Sequence, residues 1–363
     1  MKIKNFLDIL DQIAPFFLQA EYDNSGLQFA DLDENIHKIF LCLDVTKESI
    51  QEAFRENCNV ILSHHPLFFH PIYNITKQDN PVSYQLIYQH MNLISFHTNY
   101  DLADNGLNDY VGKLLDLNKV DFLESSSEKT FKLAIYVPDK YQKKLLEALF
   151  EAGAGNIGNY SETSFTSSGK GSFKPSDRAN PFIGKKGERE IVNEVKIETV
   201  FLEKNLNKII KTIYENHPYE EPAFDIYQLS TKPATGIGLI AKLNKGQELE
   251  SFGKKIKKDL GLPYLRIIKA NDNEIQKVAL CTGSGGSLIK QCINKNVDLF
   301  ITGDIDHHEA LKAKEMGLNI IDIEHYYTEK YFVPAIKRQL IEAQIPENLL
   351  FASKKMTSPF QIL

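Results

Sequence analysis

KIFLCLDVTKESIQEAFRENCNVILSHH (residues 38–65) and KVALCTGSGGSLIKQCINKNVDLFITGD (residues 277–304) align without a gap. Each copy reads as a buried strand (IFLCL, VALCT), a polar turn, a helix of apolar period 3.6 and a second strand (VILS, LFIT). Strand–helix–strand in that order implies parallel pairing through a right-handed crossover. A further helix and strand follow each copy, in YQLIYQHMNLISFHTNYD ending at Asp101 and HEALKAKEMGLNIIDIEHYYTE ending at Glu329. Both halves therefore read β-α-β-α-β and finish on His-x-x-x-acid, as His97/Asp101 and His325/Glu329. The expected fold is α/β, with a duplicated βαβαβ core.

Between the halves the pattern changes. FKLAIYVP, EVKIETVF and FDIYQL read as strands, KYQKKLLEALFEAG and LNKIIKTIYENH as helices. A Ser/Gly-rich stretch punctuated by Phe165, Phe173 and Phe182 reads as a hairpin and loop. This is an inserted α+β domain of about 100 residues. The expected division is residues 1–128 for the first half of the core, 129–231 for the insert and 232–363 for the second half. At 363 residues the chain is too long for one compact core.

Composition narrows the class. Hydrophobic content of 42% and charged content of 25% are those of a soluble globular protein. No run approaches the roughly 20 apolar residues of a membrane span. The N-terminal MKIKNFLDILDQIAPFF reads as an amphipathic helix rather than an export signal. Cys42, Cys58, Cys281 and Cys292 have no CxxC spacing, which fits a reducing cytoplasm. A net charge of −6 argues against a nucleic-acid partner.

Open parallel sheets bind ligands just outside the carboxyl ends of their strands. VILS runs into His64-His65-Pro66, LISF into His97 and Asp101, LFIT into Asp304, and NIIDI into His325 and Glu329. An isolated HH pair is usually decoration, but this placement recurs in both halves. Imidazole and carboxylate together suit zinc, iron or manganese. His64, His65, Asp101, His325 and Glu329 exceed the needs of one open tetrahedral ion. Two divalent ions about 3.5–4 Å apart use them better. His97 is either a sixth ligand or a donor that orients Asp101, and Asp304 either bonds a ligand or approaches a metal. His308 either lines the cavity or, like His307, is solvated or structural. Gly283–Ser287 is a phosphate cradle or a tight turn. His37, His70 and His90 read as structural or exposed.

In combination, YDNSGLQ (22–28), LDVT (43–46), SHHPLFF (63–69), HTNYD (97–101), GSGGS (283–287), TGDIDHHEA (302–310) and HYYTE (325–329) are highly specific. Over nearly its full length the chain resembles the dinuclear-metal GTP cyclohydrolase I type 2 homologues, the NGG-interacting-factor family. Matched by position, the family's ligands fall on the same five residues. The family's usual tryptophan is Tyr22 here, and its usual glycine before the last histidine is Glu324. HPYEEPAFDIYQL (217–229) resembles a PII-like or CutA-like trimerising domain, ferredoxin-like in fold, which places His217 in the insert's fold or lid. The resemblance implies a homohexamer with trimer contacts through the insert. It also implies a hydrolase acting on a small molecule, GTP in the family label, by hydroxide attack on the purine ring, with His97 or Asp304 moving protons. The alternatives are a two-metal phosphoesterase and a non-catalytic metal-binding scaffold.

Overall fold

The computed structural model describes residues 1–125, 129–158, 160–229 and 235–361. Its contacts divide the chain into two compact units, 1–126 with 234–363, and 127–233. The first unit opens with α1 (Ile3–Ile13), which buries Ile3, Phe6 and Leu10 along one helical face. Then come β1 (Gly26–Phe29), β2 (Ile39–Cys42), α2 (Lys47–Arg55), β3 (Val60–Ser63), α3 (Pro81–Tyr88) and β4 (Asn92–Ser95). The short helix α4 (Thr98–Leu102), α5 (Leu107–Leu114) and β5 (Lys119–Ser125) complete this stretch.

The second unit runs β6 (Thr130–Pro138), α6 (Gln142–Glu151), β7 (Phe165–Phe173), β8 (Glu190–Leu202), α7 (Leu206–Asn216) and β9 (Phe224–Gln228). Its sheet is antiparallel in the order β7-β8-β6-β9. That is the βαββαβ topology of ferredoxin-like folds. The Ser/Gly-rich stretch supplies β7, hairpinned onto β8. Leu133, Ile135 and Ile197 of the sheet pack with Leu149, Ile209 and Ile213 of the two helices.

The chain then re-enters the first unit with β10 (Gly236–Gln247), α8 (Leu249–Asp259), β11 (Arg266–Ile268) and β12 (Ile275–Ser284). It continues through α9 (Ile289–Asn294), β13 (Leu299–Gly303), α10 (His307–Glu315), β14 (Asn319–Asp322), α11 (His325–Glu329), α12 (Phe332–Glu342) and β15 (Leu350–Ala352).

Two sheets result, β1-β4-β3-β2-β15 and β11-β14-β13-β12-β10-β5. In each the repeat supplies three parallel strands, β2-β3-β4 and β12-β13-β14. The registers coincide too. Ile39 pairs with Val60 in the first half, and their aligned counterparts Val278 and Leu299 pair in the second.

Alternation along these strands divides the apolar side chains between two faces. Ile39, Leu41 and Leu62 join Val278, Leu280 and Ile301 in one shared core. The opposite faces are covered separately. Phe40 and Ile61 meet Ile50 of α2 and Leu86 of α3, while Ala279 and Phe300 meet Ile289 of α9 and Ala313 of α10. Burial on both faces explains why these strands read as unbroken apolar runs. The short strands β1, β11 and β15, with three or four residues each, carry no period from which to read them.

Candidate metal centre

The five expected ligands meet at the carboxyl ends of β3, β4 and β14. Beyond β3 the backbone N–H groups of His64 and His65 still donate to Cys42 and Leu43 O, at 3.2 and 3.1 Å. The ladder with β2 therefore runs into the histidine pair and fixes it at the sheet rim. After β14, Glu324 turns the chain with φ +67° and α11 begins at His325. One helical turn later Glu329 lies on the same face, with Oε2 2.8 Å from His325 Nε2. Asp101 comes from α4, whose N-cap is His97.

Glu329 sits at the middle. Its Oε1 is 3.7 Å from His64 Nε2, which is 3.8 Å from Asp101 Oδ1. Its Oε2 is 2.9 Å from His65 Nε2, and the Nε2 atoms of His65 and His325 stand 3.4 Å apart. The His64 side chain is fully buried and that of Glu329 is 4% exposed. The ring of Phe332, itself fully buried, lies 4.8 Å from that of His64 and holds it in place.

Each imidazole is wired through Nδ1. His64 donates to Phe96 O at 2.8 Å, His65 to Asp44 at 2.7 Å, His97 to Asp23 at 2.8 Å and His325 to Asp304 at 2.8 Å. An acceptor at Nδ1 fixes the proton there, so each Nε2 presents a lone pair to the pocket. His64 Nε2, Asp101 Oδ1 and Glu329 Oε2 are buried without a hydrogen-bond partner. Acceptors facing acceptors at 2.8–3.8 Å repel one another unless positive charge stands among them. The donor set therefore fits divalent cations, and His65, His325 and Glu329 form one group close enough to share an ion.

The electrostatics of the cation-free chain show the same demand. Burial alone would lower His65 and His325; Asp44 and Glu329 push His65 up to about 10, and Glu329 with Asp304 pushes His325 up to about 9. Burial raises the Asp101 carboxyl, opposed by His64 and reinforced by Glu329. Burial would raise Glu329 as well, but His325, His64 and His65 outweigh it and hold it well below the carboxylate range. Protons collect where cations would otherwise sit.

Of the remaining candidates, His97 joins His64 and His65 in a second group close enough to share an ion. Asp304, at φ +55°, bonds His325. The His97 side chain bonds Asp23 at 2.8 Å, and its carbonyl oxygen accepts from Asp101 N at 3.1 Å. As the N-cap of α4, His97 thus closes through its backbone the first turn of the helix that carries Asp101. Gly283–Ser287 is the end of β12 and the 3-10 turn that follows it, packed against the site: a Cβ at Gly283 would lie 2.4 Å from Glu329 Oε1. His307 and His308 open α10 and are exposed, as are His37, His70 and His90. His217 lies within the second unit, bonded to Tyr136 O at 2.9 Å.

Asp23, Asp44 and Phe332 were not among the expected site residues. Asp44 follows β2, the one parallel strand of the first half with no histidine at its carboxyl end. Asp23 lies in a loop before an unread strand, and Phe332 reads as ordinary core.

The family profile described as Duf34/NIF3 (NGG1p interacting factor 3) matches residues 1–359. A Halalkalibacterium halodurans protein named GTP cyclohydrolase 1 type 2 homolog is 35% identical, over 100% of both chains. A Bacillus subtilis protein of the same name is 34% identical, over 99% of this chain and 98% of its own. The crystal structure of a Bacillus cereus protein related to NIF3 superposes with a TM-score of 0.72 at 32% identity, over 100% of this chain and 99% of the other. Profile, relatives and fold agree along the whole length: the chain belongs to the DUF34/NIF3 family.

Proposed function

We propose that this protein is a dinuclear metal-dependent hydrolase. The observation that carries the reading is the Glu329 carboxylate, with one oxygen toward His64 and the other toward His65 and His325. His64, Asp101 and Glu329 Oε1 would hold one ion, and His65, His325 and Glu329 Oε2 the other. Zinc, iron and manganese suit these donors. Two such cations supply a nucleophile from water at neutral pH and a Lewis acid beside it. The chain's part is to fix the imidazoles through Asp44, Asp304 and Phe96 and to bury the carboxylates away from bulk water.

The substrate in this reading is GTP, attacked by hydroxide at its purine ring, and the name GTP cyclohydrolase 1 type 2 homolog carried by the relatives supports it. The assembly is a homohexamer built through trimer contacts of the insert, read as a PII/CutA-like domain; its βαββαβ topology is compatible with that. The site of action is the cytoplasm, which four buried free thiols favour. No helix among the described residues is long and apolar enough to cross a membrane.

Elemental analysis should give two ions per wild-type chain and fewer in His325→Ala. Metal-loaded protein incubated with GTP should release formate, and His65→Ala should not. Cleavage of phosphodiesters instead would move the reading to a phosphoesterase, and inertness toward both under zinc, iron and manganese would leave a metal-binding scaffold. Light scattering reads the hexamer.

A further inference from the structure

The stretch YDNSGLQ contributes no candidate ligand, yet Asp23 within it lies beneath the site. Its side chain is fully buried. Oδ1 accepts from His97 Nδ1 at 2.8 Å. Oδ2 accepts from Ser25 Oγ at 2.6 Å, Thr98 Oγ1 at 2.5 Å and Thr98 N at 3.1 Å. Two of these donors are themselves held: Ser25 Oγ accepts from His97 N at 3.3 Å, and Thr98 Oγ1 from Ala20 N at 2.9 Å. A buried carboxylate with four donors is a built feature, and it determines where one imidazole points.

That imidazole is 15% exposed and faces the pocket. Its ring lies 5.2 Å from that of His64 and 5.4 Å from that of His65, at 73° to each. A ring nitrogen of each of the three histidines lies within 4.8 Å of the other two. With Nδ1 bound to Asp23, the Nε2 lone pair is free among the described residues. One difference separates His97 from the three imidazoles of the centre. Each of those has an Nε2 within 4 Å of Glu329. Among the described residues, the carboxylate that close to His97 is Asp23, on the far side of its ring. His97 stands one step back from the carboxylates of the centre.

Given a metal centre there, the geometry points to His97 Nε2 as the hydrogen-bond acceptor for the water held in the pocket, with Asp23 as its positioning residue. The water donates one O–H to Nε2, which aims an oxygen lone pair away from His97 and toward the centre. Asp23 keeps the proton on Nδ1, so Nε2 stays an acceptor. No bond is broken in this arrangement.

The test uses full-length, zinc-loaded protein carrying ¹⁵N-labelled histidine. Wild type should show His97 as the Nδ1–H tautomer with Nε2 unmetallated, and Asp23→Asn should lose that tautomer bias. His97→Gln and Asp23→Asn should keep the wild-type zinc content. With a turned-over substrate, both should lower kcat about 100-fold at nearly constant KM. A loss of one zinc in His97→Gln, a metal-shifted Nε2 or an Nε2–H tautomer would each overturn the proposal. So would an unchanged kcat in His97→Gln, a variant that leaves the buried aspartate in place. If wild type consumes neither GTP nor phosphodiesters, the hydrolase reading falls, while zinc content and tautomer still decide the role of His97.

Discussion

Glu329 Oε1 stands 3.7 Å from His64 Nε2, joining the last turn of α11 in the second half to the strand end of β3 in the first. Neither half owns the site. A buried carboxylate between two imidazole groups is tolerable only with positive charge beside it, so the seam between the repeats is where a cation contributes most.

Glu329→Gln keeps the shape and removes that charge. Zinc content should fall from about two ions per chain to fewer than one. The fold should survive, because an uncharged amide no longer needs a counter-charge in this buried position. Elemental analysis beside circular dichroism checks both statements.

Gly283 has φ +70°, and a Cβ there would press on Glu329 Oε1, whereas Gly317 has φ +79° and nothing within 4 Å of its Cβ position. Alanine at either position should cost about 1 kcal/mol or more through the backbone. Metal content should drop in Gly283→Ala and hold in Gly317→Ala. Equal loss in the two would mean that backbone strain, and not displacement of Glu329, is responsible.

Asp23 supplies a pH signature. Burial alone would raise its carboxyl, but hydrogen bonds from His97, Ser25 and Thr98 hold it well below its ordinary 3.8. A carboxyl lowered on folding gives stability that is complete above its unfolded value and is lost as pH falls through the folded one. The Tm difference between wild type and Asp23→Asn should therefore be steady from about pH 5 upward and shrink below about pH 4. Thermal melts across that range check the sign, and a gap that widens in acid contradicts it.

The C-terminal tail braces the residues around the candidate ligands. Tyr326 donates to Met356 O at 2.8 Å, Ser358 Oγ donates to Glu324 at 3.1 Å, and Leu43 N donates to Met356 Sδ at 3.3 Å. Tyr264 also donates to Glu324. These contacts secure both neighbours of His325 and the residue before Asp44. A chain ending at Ser353 should keep its strands and release zinc to a chelator about 10-fold faster. Competition kinetics with a zinc-binding dye would show it, and an unchanged rate would assign the tail no part in the site.

Local chemistry made much of this legible. The repeat could be read because β2, β3, β12 and β13 are buried on both faces, which forces apolar runs of matching length. The candidate ligands could be read because imidazoles and carboxylates at strand ends have few other reasons to recur. His325 and Glu329 carried their own geometry, one helical turn apart.

Sequence alone thus determined the two β-α-β-α-β halves, the inserted domain and the five residues that converge, all encoded in short-range periodicity and in position relative to strand ends. Tertiary structure decided how they are held: Asp44 behind His65, Asp23 behind His97, Gly283 against Glu329 and the tail around His325. Those are hydrogen bonds and close approaches between segments distant in sequence. Such contacts leave no period to read, since any loop can contribute an aspartate or a glycine and only folding fixes which one meets the imidazole.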